Sequence, residues 1–113
     1  MSWKTEMNDL AALIHRDNRA KGFYDDAEKN ERGVFMLARL ALIHSEASEA
    51  AEAVRKPGPD DHLPHRPALE CELADILIRT LDLAAYVGCD IGAVIEEKLA
   101  YNRQRPFKHA KSC

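Results

Sequence analysis

Two acidic pairs, each with a spacing of three and each set in an apolar helical stretch, restrict what this chain can fold into. Glu46 and Glu49 lie in LALIHSEASEAAEAV, and Glu72 and Asp75 lie in ALECELADILIRTLDLA. On an α-helix, residues three apart share a face about one turn apart. On a helical wheel Glu46 falls between Leu42 and Ala50, inside the apolar arc, and Glu49 falls at its edge. Glu72 lies inside the arc of its own helix, with Asp75 and Arg79 along the margin. Carboxylates gathered at the edge of a core repel one another, which raises their pKa values or weakens the fold. A divalent cation resolves the conflict, and an all-oxygen donor set suits Mg²⁺, with Mn²⁺ as a substitute. The structural alternative is a salt-bridged bundle in which Arg79, one turn after Asp75, neutralises the acids.

The segments around these pairs all read as helix. Ala, Leu and Glu abound, and aromatic residues make up only 6% of the chain, so propensity favours helix over strand. Trp3, Met7, Leu10, Ala11 and Ile14 mark one face of a first helix over residues 2–20, with Ser2 as its N-cap. Gly22 ends it in a left-handed conformation, and Phe23 and Tyr24 follow on a loop. A second helix over about residues 31–54 carries a stripe through Leu37, Leu40, Ala41, Ile43, Ala47, Ala50, Ala51 and Val54. Four prolines and a glycine over residues 56–67 make the one clear loop. A third helix, residues 68–87, turns Leu69, Leu73, Ile76, Leu77, Thr80, Leu83, Ala84 and Val87 inward and stops at Gly88. A fourth runs from the cap Asp90 to about Gln104. The expectation is one all-α domain over residues 1–113, a four-helix bundle whose second and third helices pack antiparallel and bring the acidic pairs face to face.

Bulk properties exclude several classes. A formal net charge of -3 argues against a basic surface for nucleic acid. No stretch approaches the roughly 20 apolar residues of a membrane span, and no signal pattern opens the chain, so a cytoplasmic protein is expected. Cys71, Cys89 and Cys113 form no CxxC and read as reduced thiols. His62-x-x-His65 has zinc-like spacing but lies in a proline-rich loop with no second ligand pair, and a solvated loop is the plainer reading.

Beyond the acids, Lys98, Asn102 and Arg105 step by four and three along one helix face. Arginine grips phosphate bidentately and lysine serves as a point charge, although a solvated basic face at a helix C-terminus is the plain alternative. Glu46-x-x-Glu49, Glu72-x-x-Asp75 and the block Lys98-x-x-x-Asn102-x-x-Arg105-Pro106-x-x-His109-x-Lys111 together resemble the MazG-like all-α nucleoside triphosphate pyrophosphohydrolases. The likeness extends over about residues 36–111. It implies Mg²⁺-dependent hydrolysis of a (deoxy)nucleoside triphosphate to monophosphate and pyrophosphate, for clearing non-standard or surplus nucleotides.

By the same resemblance Glu46, Glu49, Glu72 and Asp75 are the metal ligands, and Lys98, Asn102 and Arg105 the phosphate contacts. Glu46 or Glu49 activates the water, and a homodimer or homotetramer is expected. Ala110 departs from the glycine often found in that family's tail. Phe23 and Tyr24 are candidate stacking partners for the base, Trp3 is expected in the core, and Asp82 reads as a surface charge. Two alternatives remain: phosphoribosyl-ATP as substrate, or a non-catalytic helical module that dimerises or binds a partner.

Overall fold

The computed structural model describes residues 2–106. Within them the chain forms helices α1 (Trp3–Ala20), α2 (Arg32–Arg55), α3 (Ala68–Val87) and α4 (Ile91–Arg103), with a 3₁₀ turn at Ala27–Lys29 and no strand. None of these helices is long and apolar enough to cross a membrane.

The helix ends follow local chemistry. Ser2 Oγ accepts the Thr5 amide, Glu31 accepts the Gly33 amide and Asp90 accepts the Ala93 amide, each satisfying a donor that the first helical turn leaves unpaired. Gly22 has φ +87° and Gly88 φ +84°. At the first, Phe23 N–H reaches back to Asn18 O; at the second, Cys89 N–H reaches Ala84 O. Both close a helix with a left-handed residue that glycine adopts without a Cβ penalty.

The proline-rich loop closes on itself. Ala68 N–H donates to Gly58 O, Asp60 N–H donates to Arg66 O, and Pro59 and Pro67 form an isolated antiparallel bridge. This clasp holds the end of α2 beside the start of α3, so the two helices run antiparallel as expected.

Packing runs in a row: α2 against α3, α3 against α1, and α1 against α4. That row is more open than the expected bundle, and the buried faces differ from the expected ones. On α3, Ala84 is buried and Leu69, Ile76 and Leu83 are partly buried as expected, but the buried set also includes Leu81 and Asp82. A partly buried polar seam of Glu72, Asp75, Arg79 and Tyr86 runs beside them, with Asp82 completing steps of three, four, three and four. Leu77, expected inside, is 59% exposed, and Leu73, Thr80 and Val87 are exposed as well. On α2 the seam is Phe35, Arg39, Glu46 and Ala50, while Leu37 is 66% exposed and Leu40, Ala41, Ala47, Ala51 and Val54 also face out. The physical reason is that the Arg79–Glu46 ion pair and the packing of Phe35 on Tyr86 occupy part of the space between α2 and α3, leaving a second apolar stripe on the outside. Trp3, expected in the core, is exposed too.

Among the described residues, helix α4 packs chiefly on α1. Asn8 donates to Asp90 Oδ1 at 2.8 Å and accepts the Gly92 amide at 2.9 Å, and Lys4 pairs with Glu96 at 3.0 Å. Gly92 is buried against the Lys4 backbone, where a Cβ would lie 2.9 Å from Lys4 Cα.

Candidate metal centre

The antiparallel register expected from the acid spacing is present. Glu46 on α2 meets Glu72 and Asp75 on α3, each offering an oxygen within 4.8 Å of the others. Glu49 lines the same cavity, about 380 Å³ in volume, but is exposed at its edge and outside that three-oxygen set. The Pro-rich loop supplies the opposite wall through Asp60, Asp61, His62 and Leu63. Sequence reasoning treated this loop as solvated and missed the wall; the adjacent Asp60-Asp61 was the available signal. Asp60 Oδ2 accepts the His62 and Leu63 amides at 3.0 and 2.9 Å, a local turn that holds its carboxyl below the ordinary range. His62 and His65 line different cavities, so the zinc-like spacing does not converge. Cys71 and Cys89 are free thiols.

The acids do not share their charge evenly. Burial opposes ionisation of Glu46, which is 8% exposed, but the Arg79 guanidinium at 2.7 Å and the Glu49 carboxyl hold its pKa below the ordinary range. Glu49 is pushed up by its hydrogen bond to Glu46 and by the charge of Glu72. Burial raises Glu72 and Asp75, and the Glu46 charge raises both further. Glu72 Oε2 is buried with no hydrogen-bond partner among the described residues. An acceptor oxygen left unpaired beside like charges is a costly arrangement unless a cation occupies the space. An all-carboxylate set with one orphaned oxygen therefore fits a hard divalent ion such as Mg²⁺ or Mn²⁺. Arg79 already serves Glu46, as the salt-bridge alternative requires, but it leaves Glu72 unserved.

The shifts carry a signed consequence for stability. Glu49, Glu72 and Asp75 hold protons more tightly when folded than at their ordinary values of 4.5, 4.5 and 3.8. Above those values the folded chain binds more protons than the unfolded one, so their contribution falls as pH rises. Glu46, Asp60 and Asp90 have the opposite sign and lose stability only below their ordinary values of 4.5, 3.8 and 3.8. Metal-free protein should therefore melt higher at about pH 5 than at about pH 7, with Mg²⁺ at neutral pH narrowing the gap. Solvent screening keeps the share of exposed Glu49 small. A melting temperature that is flat or lower at the acid end would contradict this charge assignment.

The remaining expected site residues are placed differently. Lys98, Asn102 and Arg105 lie on or just after α4, which packs on α1, and none lines the acid cavity. Lys98 and Arg105 instead lie over the Tyr101 ring, at 5.2 and 5.9 Å from its centroid. His109, Ala110 and Lys111 fall outside the described residues.

Tyr24 is buried, not displayed: its ring stacks on Tyr86 at 5.3 Å and meets His15 and Phe35 edge-on or tilted. Tyr24 is thus packed inside the fold, not presented on a loop as its expected stacking role required. Burial raises the Tyr24 phenol pKa strongly, and nearby Asp82 adds to the shift. Phe23 is 52% exposed and lines a hollow next to the acids. Asp82, expected on the surface, is buried: its carboxylate accepts from His15 Nδ1 at 2.8 Å and Asn18 Nδ2 at 2.9 Å. Partners 67 and 64 residues away in sequence left no local signal for that burial.

Comparison with known proteins adds one short similarity. A 39-residue stretch is 49% identical to a dATP/dGTP diphosphohydrolase of cyanophage S-2L. The stretch is 34% of this chain and 37% of that protein, so the chain spans little more than a third of the relative it matches. No family model matches the chain, and no solved structure matches it.

Proposed function

We propose that the chain is a Mg²⁺-dependent nucleoside triphosphate pyrophosphohydrolase of the MazG-like kind. The observation that carries the reading is the convergence of Glu46, Glu72 and Asp75 at one end of a cavity, with Glu72 Oε2 unpaired. The short similarity to a dATP/dGTP diphosphohydrolase supports the reaction class. In this reaction water forms a bond to the α-phosphorus and the bridging oxygen to the β-phosphorus leaves with pyrophosphate. Such transfer asks the protein chiefly for alignment and charge neutralisation. A bound divalent ion would supply charge neutralisation on the phosphates and a more acidic water. Glu46, Glu72 and Asp75 would hold it. Glu49, exposed at the cavity edge with a raised pKa, is suited to orient the water and take its proton.

The expected phosphate contacts bear on assembly. With α4 fastened to α1, Lys98, Asn102 and Arg105 do not join the acids within one chain. The outward apolar stripe of α2 and α3 fits a homodimer or homotetramer in which a second copy covers it. In such an assembly the basic residues of one protomer can serve the acids of another.

One observation favours a second reading, a non-catalytic helical module: Arg79 braces Glu46 at 2.7 Å. Pyrophosphate release from a panel of standard and modified (deoxy)nucleoside triphosphates, and from phosphoribosyl-ATP, with Mg²⁺ or with EDTA, separates the readings. Metal-dependent release of pyrophosphate and monophosphate is expected. Activity on phosphoribosyl-ATP alone reassigns the substrate, and silence from folded protein favours the module. Sedimentation of the same sample as a monomer removes the assembly.

A further inference from the structure

Beside the acid cavity lies a second hollow of about 230 Å³, lined by Asn18, Phe23, Arg39, Arg79 and Asp82 and sharing Glu46, Asp75 and Ile78 with its neighbour. Arg79 is held by Glu46 and Arg39 by the Phe23 carbonyl. The two cavities are contiguous, so a substrate with its phosphates at the acids has room for its nucleoside here. Both oxygens of buried Asp82 are committed, one to His15 and one to the Asn18 amide nitrogen. A carboxylate accepts and does not donate, so Asn18 must turn its NH₂ towards Asp82. The amide is thereby fixed in one orientation, with Oδ1 as the remaining acceptor on a side chain that lines the hollow. No donor among the described residues reaches that oxygen. Phe23 lines the same hollow, and Arg39 donates to the Phe23 carbonyl, which pins the segment carrying the ring.

We propose that this hollow receives the nucleobase, and that Asn18 Oδ1 accepts a hydrogen bond from its exocyclic amino group while Phe23 contacts the ring. Asp82 is then a positioning residue, its own orientation fixed by His15. This inference rests on the pyrophosphohydrolase reading. The plain alternative is that Asp82, His15 and Asn18 only tie α1 to α3. That alternative predicts a stability change on substitution but no change in base preference.

The test takes the base hydrolysed fastest and compares kcat/KM with the analogue lacking only the amine: purine for adenine, hypoxanthine for guanine, 2-pyrimidinone for cytosine. Wild-type protein should prefer the amine-bearing substrate by at least about tenfold. Asn18→Leu should bring that ratio close to one, mainly through KM. Asn18→Ala serves if the leucine variant does not fold, and a ratio taken within one protein is insensitive to partial unfolding. Thymine or uracil as the fastest base, an absent wild-type preference, or an unchanged ratio in the variants overturns the inference and leaves the reaction class standing. Loss of deoxy-versus-ribo discrimination with the amine ratio intact assigns Asn18 to the sugar and overturns it equally. No release from any nucleotide removes the inference and the reading beneath it together.

Discussion

Glu72→Gln should lower pyrophosphate release by about a thousandfold while raising the melting temperature of the metal-free protein. The substitution keeps the shape of the side chain and removes one charge from three that lie within 4.8 Å of one another. Loss of a metal-ligating carboxylate removes several kcal/mol of transition-state stabilisation, which is about three powers of ten in rate. Without metal the same charge is a burden: burial and the neighbouring Glu46 and Asp75 push its pKa up, and Oε2 has no partner. An amide there relieves repulsion and can donate to a neighbouring acid, worth about 1 kcal/mol or several degrees. Mg²⁺ should stabilise the wild type and have little effect on the variant, because ligand binding to the native state raises stability by mass action. Rate assays and melting curves with Mg²⁺ and with EDTA check all three outcomes. Full activity in the variant would remove Glu72 from the site, and a lower metal-free melting temperature would show that it braces the fold.

Gly92→Ala is the largest expected effect on folding. In an exposed helix the change would gain about 1 kcal/mol of propensity. Here the added Cβ meets Lys4 backbone atoms, which cannot swing aside as a flexible side chain would. Overpacking of this kind costs about 1–3 kcal/mol, so the steric term outweighs the propensity gain. The melting temperature should fall by roughly 5–10 °C. Because α4 packs chiefly on α1, amide exchange should rise first in α4 and at the Asn8 contacts, with the α2–α3 hairpin still protected. A neutral or stabilised variant would mean that the two helices stand further apart.

What could be read from the sequence was local chemistry. Ser2, Gly22, Gly88 and Asp90 mark helix ends through bonds spanning a few residues, and all four act where expected. The acidic pairs were legible because a spacing of three fixes a shared face whatever the tertiary arrangement. The inner faces of α2 and α3 were legible only in part: Ala50 and Ala84 are buried and Ile43, Leu69, Ile76 and Leu83 partly so, but the rest of each stripe faces out. Leu37 and Leu77 satisfy the helical period for burial, yet they stay exposed while Glu46 and Asp82 are buried beside Phe35, Ala50, Leu81 and Ala84, with Glu72, Asp75 and Arg79 half-buried next to them. A hydrophobic pattern marks a face that seeks cover without saying whether the same chain provides it. Asp82 and Tyr24 failed for a related reason: their surroundings come from His15, Asn18, Phe35 and Tyr86, scattered over much of the chain.

The clasp at the base of the proline-rich loop separates two tasks. Gly58, Pro59, Asp60, Arg66, Pro67 and Ala68 hold α2 and α3 in register through backbone contacts. Residues 61–65 lie beyond it, and Asp61, His62 and Leu63 among them form part of the cavity wall. Exchanges within that tip should change the shape and charge of the entrance before they shift Glu46 against Glu72, because the clasp, not the tip, joins the two helices. The loop is thus an interchangeable part: the place where what the cavity admits can be retuned while the carboxylate geometry beneath it stays fixed.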